Sequence, residues 1–262
     1  MQHYRVRLQP DIAAGTLRGE EDVRLCLLGD GDTVVLDAGA LSVDSVSLGK
    51  QALTTSRNGK TLAITLPRSH RAGACVALHL RYSGKSSYGL QMHPERRQAY
   101  TIFSTSQWMP ANDAPSDRAT LDLEVTLPGG LQAIGTGVAQ PVRHAEESAT
   151  HRWRLRQPMP SYLYGFAAGP FARVQFDANG IHHEWLGDGF DDAQLRRIFA
   201  DTPAMLAFFA DKAGVAYPHR TYSQALVADT VGQELAGMAL VSEVYGRAVL
   251  DDETREGLNA HE

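Results

Sequence analysis

The segment that decides the fold is residues 121–130, LDLEVTLPGG, in which apolar side chains alternate with polar ones before two glycines. A period of two places the apolar side chains on one face of a strand and the polar side chains on the other. Gly129 and Gly130 supply turn chemistry at the end of the run. The segment therefore predicts a half-buried β-strand that ends in a turn.

The same strand signature recurs over the first two thirds of the chain. It is found in YRVRL (4–8), DVRLCLL (22–28), TVVLDA (33–38), TLAITL (61–66) and CVALHLRY (75–82). These runs have strand lengths and are separated by turn residues, and no run of helical length and period interrupts them. We predict a mainly β protein whose residues 1–172 form an antiparallel β-sandwich or saddle domain.

The pattern changes to helical spacing in residues 191–214, DDAQLRRIFADTPAMLAFFADKAG. Asp191 or Asp192 is a suitable N-cap, Gly214 a suitable terminator, and Pro203 is expected to kink the helix or split it in two. A strand-like YSQALVA (222–228) follows, and a last helix is expected to start at Asp251 or Asp252. Residues 173–262 therefore predict the start of an α+β domain.

Composition limits the classes of function. The 262 residues are 43% hydrophobic and 21% charged, which is typical of a globular protein, and the formal net charge is −5. Without a basic run, a nucleic acid partner is not expected, and no apolar run reaches the length of a membrane span. Cys26 and Cys75 lie in strand-like runs and are predicted to be buried free thiols.

Several segments together resemble the M1 family of zinc aminopeptidases. The segment from Trp108 to Leu131, WMPANDAPSDRATLDLEVTLPGGL, resembles the family's aromatic-x-Pro element, acidic turn and following strand. The segment QPMPSYLYGFAAGPF (157–171) resembles the close of the family's N-terminal domain, and GVAYP (214–218) resembles a turn of its catalytic domain. The resemblance implies a β-saddle domain followed by an incomplete thermolysin-like catalytic domain, with the chain ending inside the zinc motif.

The resemblance assigns roles to the last two residues, His261 and Glu262. In the family's H-E-x-x-H motif the two histidines bind one zinc ion from the same helix face, and the glutamate acts as the general base. His261 matches the first zinc ligand and Glu262 the catalytic base. One histidine does not make a catalytic zinc site, so Zn²⁺ is expected in the parent enzyme and the 262-residue chain is expected to be inactive.

The resemblance also assigns the substrate anchor, with two alignments left open. The family binds the α-ammonium group of its peptide substrate with the glutamate of a G-x-M-E-N loop, where this chain has GQELAGMAL (232–240). One alignment places Gly232, Gln233 and Glu234 on this loop and keeps its carboxylate; the other places Leu235-Ala236-Gly237 there and leaves none. We favour Glu234, because a buried cation needs a counter-charge. Gln107 is the nearest candidate for a further glutamine that contacts the substrate.

Two alternatives remain at this stage. One is a non-catalytic β-saddle module that binds or scaffolds other proteins; the other is a metallopeptidase relative with endopeptidase or epoxide-hydrolysing activity. An internal His183–Glu184 pair shows how common the dipeptide is, and it is predicted to be structural. We expect a cytoplasmic protein, or a periplasmic one if a leader precedes the first strand.

Overall fold

A computed structural model describes residues 1–85, 87–230 and 232–262. The strands are, in chain order, β1 (His3–Asp11), β2 (Thr16–Cys26), β3 (Gly31–Asp37), β4 (Ser42–Leu48), β5 (Gln51–Ala52), β6 (Thr54–Asn58), β7 (Thr61–His70), β8 (Cys75–Lys85), β9 (Leu90–His93), β10 (Gln98–Thr101), β11 (Ala119–Pro128), β12 (Gln132–Gly135), β13 (Val138–His144), β14 (Ser148–Met159), β15 (Phe166–Gly169), β16 (Ala172–Ala178), β17 (Ile181–Gly187), β18 (Thr221–Val227), β19 (Gly232–Leu235) and β20 (Met238–Ser242). The helices are α1 (Asp192–Ile198), α2 (Thr202–Ala213), α3 (Glu243–Asp251) and α4 (Gly257–His261), and short 3-10 helices span Pro94–Arg96, Thr105–Gln107 and Ser161–Leu163.

The described strands form one large sheet and three smaller ones. The eight-stranded sheet has the order β13-β14-β11-β1-β2-β8-β4-β5, and the three-stranded sheet has the order β3-β7-β6. The four-stranded sheet is β12-β15-β10-β9, and the five-stranded sheet is β16-β17-β18-β20-β19. The mainly β class is confirmed. The prediction of an antiparallel sheet has one exception in the large sheet, where β1 pairs in parallel with β11.

The opening segment forms β11 and obeys its alternation. Leu121, Leu123 and Val125 are fully buried in the core between the sheets. On the outer face, Glu124 lies across from Arg7 of β1 and Arg152 of β14. Opposite charges on neighbouring strands favour their pairing.

Cys26 and Cys75 correct one prediction. They are register partners at the ends of β2 and β8 and are joined in a disulfide, not buried free thiols. Cys75 is exposed and Cys26 is half-buried. The periodic pattern identified both strands, but the pairing depends on how two strands 49 residues apart are aligned, which local sequence does not show.

The helical predictions are confirmed in part. Asp191 caps α1 by accepting the Gln194 N–H at 2.8 Å. The helical segment is split as predicted: α1 ends at Ile198 and α2 begins at Thr202, with Pro203 in its first turn. Gly214 ends α2 in the left-handed region, at φ 67°. The last helix does not start at Asp251 or Asp252, because those residues end α3; α4 begins later, after Glu256.

The five-stranded sheet packs against the four-stranded sheet. Tyr100 and Ile102 from the segment of β10 share a buried cluster with Leu235, Met238 and Leu240 of the β19–β20 hairpin. This cluster places the hairpin against the N-terminal part of the chain. The five-stranded sheet begins at Ala172; the division of the chain at residues 172 and 173 stays a prediction.

Candidate functional site

The predicted substrate-binding segment forms a hairpin instead of a loop. β19 pairs antiparallel with β20 in the register Gly232↔Val241 to Leu235↔Met238, and Ala236 and Gly237 make the turn. Gly237 adopts φ 81°, a left-handed conformation that suits glycine. The Ala236 N–H donates to the Leu163 carbonyl at 3.0 Å, which ties the turn to the N-terminal part.

Alternation along β19 separates its side chains between two faces. Gln233 and Leu235 are buried on the face toward the N-terminal part, whereas Glu234 is exposed. Gln233 is held by two hydrogen bonds: its Oε1 accepts from the Phe103 N–H, and its Nε2 donates to the Glu234 carbonyl, both at 2.7 Å.

His261 and Glu262 lie at the end of α4, and Glu262 packs against Gly232. A Cβ atom added to Gly232 would lie 1.9 Å from Glu262 Oε1, so a larger residue there would displace the Glu262 carboxylate. The Glu262 carboxyl is half-buried, and burial together with the neighbouring Glu234 raises its pKa above the usual 4.5, although His261 acts in the opposite direction. The structure therefore brings Gly232, Glu234, His261 and Glu262 together.

Helix α4 is anchored by a buried polar network that the sequence analysis missed. Gln224 Nε2 donates to Asn259 Oδ1 at 2.7 Å, and Asn259 Nδ2 donates to Thr202 Oγ1 at 3.1 Å. The Thr202 hydroxyl donates in turn to Gln224 Oε1 at 2.9 Å. The one available signal was a glutamine inside the otherwise apolar end of β18.

An open cleft of about 430 Å³ adjoins the end of α4. It is lined by His261 and Glu262 and by apolar or aromatic side chains that include Met205, Phe209 and Tyr222. The Tyr222 hydroxyl donates to the Glu262 carbonyl at 3.3 Å. Glu262 thus stands between an apolar cleft and the backbone of β19.

Gln107 lies in the N-terminal part of the chain, next to two glycines. It ends a 3-10 helix, and its side chain lies against Gly39 and Gly89, where an added Cβ would come within 2.7 Å of it. An indirect path connects Gln107 to β19. The Gly89 carbonyl accepts the Ile102 N–H at 3.1 Å, and the next residue, Phe103, donates its N–H to Gln233 of β19. Its role as a substrate contact stays a prediction.

The internal His183–Glu184 pair is accounted for by the fold. The buried Glu184 carboxylate accepts hydrogen bonds from Arg173, from Gln175 and, at 2.9 Å, from the Ser223 hydroxyl. Burial by itself raises the pKa of Glu184, but the Arg173 charge and these bonds lower it below its usual value. These bonds link Glu184 to the neighbouring strands β16 and β18, and the His183 ring stacks on Phe176.

The candidate metal ligands do not form a complete set. Within residues 1–85, 87–230 and 232–262, no three His, Cys, Asp or Glu side chains are placed to hold one metal ion. A catalytic zinc site typically has three protein ligands, and the predicted ligand His261 is one residue. The residues present therefore do not by themselves fit a zinc ion.

Residues 1–163 match the family model of the peptidase M1 N-terminal domain. The chain belongs to this M1 family. Among solved structures, the M1 zinc metallopeptidase of Deinococcus radiodurans superposes with a TM-score of 0.80 at 23% identity, over 94% of this chain and 61% of that one. A mutant form of it bound to a Tyr-Ser-Ala substrate gives a TM-score of 0.83 at 24% identity, over 94% and 62%.

Curated relatives of the M1 chain are aminopeptidases. Leucine aminopeptidase 2 of Neurospora crassa is 25% identical in an alignment of 190 positions that covers 65% of this chain and 28% of the relative. Aminopeptidase N of Acetobacter pasteurianus is 23% identical in an alignment of 235 positions that covers 82% of this chain and 65% of the relative. The chain thus spans less than two thirds of the length of each.

The described M1 chain contains no helix that combines the length and apolar character required to cross a bilayer.

Proposed function

We propose that this chain forms the N-terminal part of a zinc-dependent aminopeptidase that removes N-terminal residues from peptides. One observation carries the proposal: Glu262 packs on Gly232, beside Glu234, at the mouth of an apolar cleft. A carboxylate that meets the substrate ammonium group fixes cleavage near the peptide terminus, and a second carboxylate nearby supplies a base.

In this proposal each residue has one role. Glu234 binds the α-ammonium group, Gly232 leaves room for Glu262, and Glu262 accepts the proton of the attacking water. His261 is one ligand of the zinc ion of the whole enzyme. A bound zinc ion would supply a Lewis acid and a more acidic water. The 262-residue chain by itself is expected to be inactive, since it offers one of the three ligands such a site needs.

Hydrolysis of alanine tripeptides by the complete product of the gene tests the proposal. Glu262→Gln is expected to lower kcat by roughly 10²- to 10⁴-fold, because the base is lost while the shape is kept. Glu234→Gln is expected mainly to raise KM, and Glu253→Gln is the control, since Glu253 pairs with Arg197 on an exposed surface. Full activity of Glu262→Gln would contradict the proposal.

A non-catalytic binding module is the second candidate. Gln233 favours this candidate. In the alignment that keeps Glu234, it lies where the family has an apolar methionine, and its amide is already hydrogen-bonded to the Phe103 N–H and the Glu234 carbonyl. Metal analysis of the complete gene product separates the two candidates: about one zinc ion per chain supports the enzyme, and its absence supports the module.

We also propose the cellular compartment in which this protein works. Disulfides persist in oxidising compartments and are rare in the cytosol. The Cys26–Cys75 pair therefore favours the periplasmic alternative over the cytoplasmic one.

A further inference from the structure

An exposed aromatic pair lies beside the candidate site. The rings of Tyr88 and Phe103 stack with centroids 5.7 Å apart and an interplanar angle of 12°. Tyr88 is 61% exposed and Phe103 is 47% exposed, so the pair presents a flat apolar surface to solvent. Single exposed apolar residues are ordinary, but a preformed stack offers a ready surface for another ring.

Phe103 is held in an unusual backbone conformation. Its φ is 50°, in the left-handed region that bulky side chains rarely adopt. Such conformations persist where the surroundings impose them, and they are concentrated at binding sites. Phe103 also donates its N–H to Gln233 Oε1 at 2.7 Å.

Gln233 connects the aromatic pair to the proposed anchor. It is 3% exposed, and its Nε2 donates at 2.7 Å to the carbonyl of Glu234, so one buried amide links Phe103 to β19. The Tyr88 side is fixed as well. Gly89 accepts from the Ile102 N–H at 3.1 Å, and an added Cβ there would lie 2.7 Å from Gln107 Cβ.

The two faces of β19 define what each group can contact. Gly232 and Glu234 share the face toward Glu262, and Gln233 and Leu235 share the face toward Phe103 and the N-terminal part. β19 is the last strand of its sheet in the described chain. A peptide lying along such an edge directs its side chains alternately to the two faces.

We propose that Tyr88 and Phe103 form a recognition surface for an aromatic or large apolar side chain near the amino end of the bound peptide. The proposal rests on the proposed function, because it takes β19 as the strand along which the peptide lies. The ammonium group meets Glu234 on one side of the strand, and a side chain of the first two residues meets the stacked rings on the other. The aromatic pair is thus a determinant of specificity and takes no part in the chemical step.

Peptide binding to the 262-residue chain tests the contact without turnover. Phe-Ala-Ala, Ala-Phe-Ala and Ala-Ala-Ala are titrated and followed by NMR. One of the two phenylalanine peptides is expected to bind roughly three- to tenfold tighter than Ala-Ala-Ala, the range expected for an added aromatic contact. Phe103→Asn is expected to abolish the difference, because asparagine keeps the left-handed backbone and removes the ring.

Two further variants make the result decisive. Tyr88→Ser removes the other ring and is expected to reduce the ratio of affinities for the phenylalanine peptide and Ala-Ala-Ala. It provides a second test in case Phe103→Asn fails to fold. Phe208→Ala is the control: Phe208 is 55% exposed on α2, where it stacks edge-on with Phe209, and its loss is expected to leave the ratio unchanged. An unchanged ratio in both Phe103→Asn and Tyr88→Ser, or an equal loss in Phe208→Ala, would overturn the inference.

Hydrolysis by the complete gene product separates this inference from the proposed function. Ala-Ala-Ala needs the anchor and the base but not the aromatic pair. If it is cleaved and Phe103→Asn keeps the preference for phenylalanine, the inference fails and the proposed function stands. If no tripeptide is cleaved, the proposed function fails, and a Phe103-dependent binding ratio still supports the aromatic contact.

Discussion

Replacement of Arg96 tests how the two parts of the chain are held together. Arg96 Nη1 and Nη2 donate to the two Glu243 oxygens at 2.8 and 2.6 Å, and Nε and Nη2 each donate to Asp188 Oδ2 at 3.2 Å. Glu243 begins α3, directly after the strand β20 of the site hairpin. Arg96→Met keeps the length of the side chain and removes all four bonds.

The expected loss follows from geometry and exposure. The side chains of Arg96, Asp188 and Glu243 are 32%, 24% and 16% exposed, so solvent screens this network only in part. Hydrogen bonds to charged groups contribute about 1.5–3 kcal/mol each when well formed, but they are not additive. We expect Arg96→Met to lower the free energy of unfolding by about 2–3 kcal/mol.

Urea unfolding with a matched control measures this loss. Arg197 makes a similar ion pair with Glu253 at 2.9 Å, but those side chains are 52% and 64% exposed. Exposed pairs contribute about 0.2–1 kcal/mol, so Arg197→Met is expected to lose less than about 1 kcal/mol. If the two variants differ by less than about 0.5 kcal/mol, burial does not decide the strength of the Arg96 network.

The pH dependence provides an independent check on Arg96. The hydrogen bond from Arg96 lowers the pKa of Glu243 below its usual 4.5. A depressed pKa in the folded state means stability that is present above pH 4.5 and is lost as the pH falls through the folded-state pKa. The difference in unfolding free energy between the wild type and Arg96→Met should therefore narrow as the pH falls from 4.5 through the folded-state pKa of Glu243.

Three more predictions concern the fold. Thiol titration should find no free thiol before reduction, and reducing Cys26–Cys75 should cost about 4 kcal/mol of stability by chain entropy for a 49-residue separation; reactive thiols in the unreduced protein would contradict the pairing. Glu21 is fully buried, and burial raises its pKa well above 4.5. The stability that the protonated Glu21 contributes is therefore full below pH 4.5. It falls by at most about 1.4 kcal/mol per pH unit as the pH rises toward the folded-state pKa. Glu21→Gln should flatten that slope, and parallel pH profiles would refute the assignment. Asp191→Ala should destabilise by about 1 kcal/mol in thermal unfolding through loss of the α1 cap, whereas Asp192→Ala should cost less; equal losses would show that the cap is not the cause.

Features encoded by local pattern were predictable from the sequence. The alternation around Leu123 gave a strand with one buried face, and Pro203 and Gly214 marked where helices begin and end, because these effects depend on a few neighbouring residues. The Cys26–Cys75 pairing and the parallel contact of β1 with β11 were not predictable, because strand order joins segments far apart in sequence.

The candidate site divides in the same way. The resemblance placed roles on Glu234 and Glu262, and these roles stay predictions. The contact of Glu262 with Gly232 and the bond from Phe103 to Gln233 each depend on tertiary packing. The β19–β20 hairpin was missed although Gly237, a turn-forming residue, lies between its two short strands.

Tertiary contacts, not helix propensity, set the orientation of His261 and Glu262. Helix α4 has five residues and no side-chain N-cap, and helices this short are marginal by themselves in water. Its position is fixed by Asn259, which bonds to Gln224 of β18 and to Thr202 of α2, all three nearly fully buried. A buried amide that loses its hydrogen-bond partner costs free energy. This network therefore restricts the position of α4 more tightly than non-directional apolar packing would. A His-Glu dipeptide carries little information about chemistry for this reason: Glu184 is paired with Arg173, whereas Glu262 packs against Gly232 of β19.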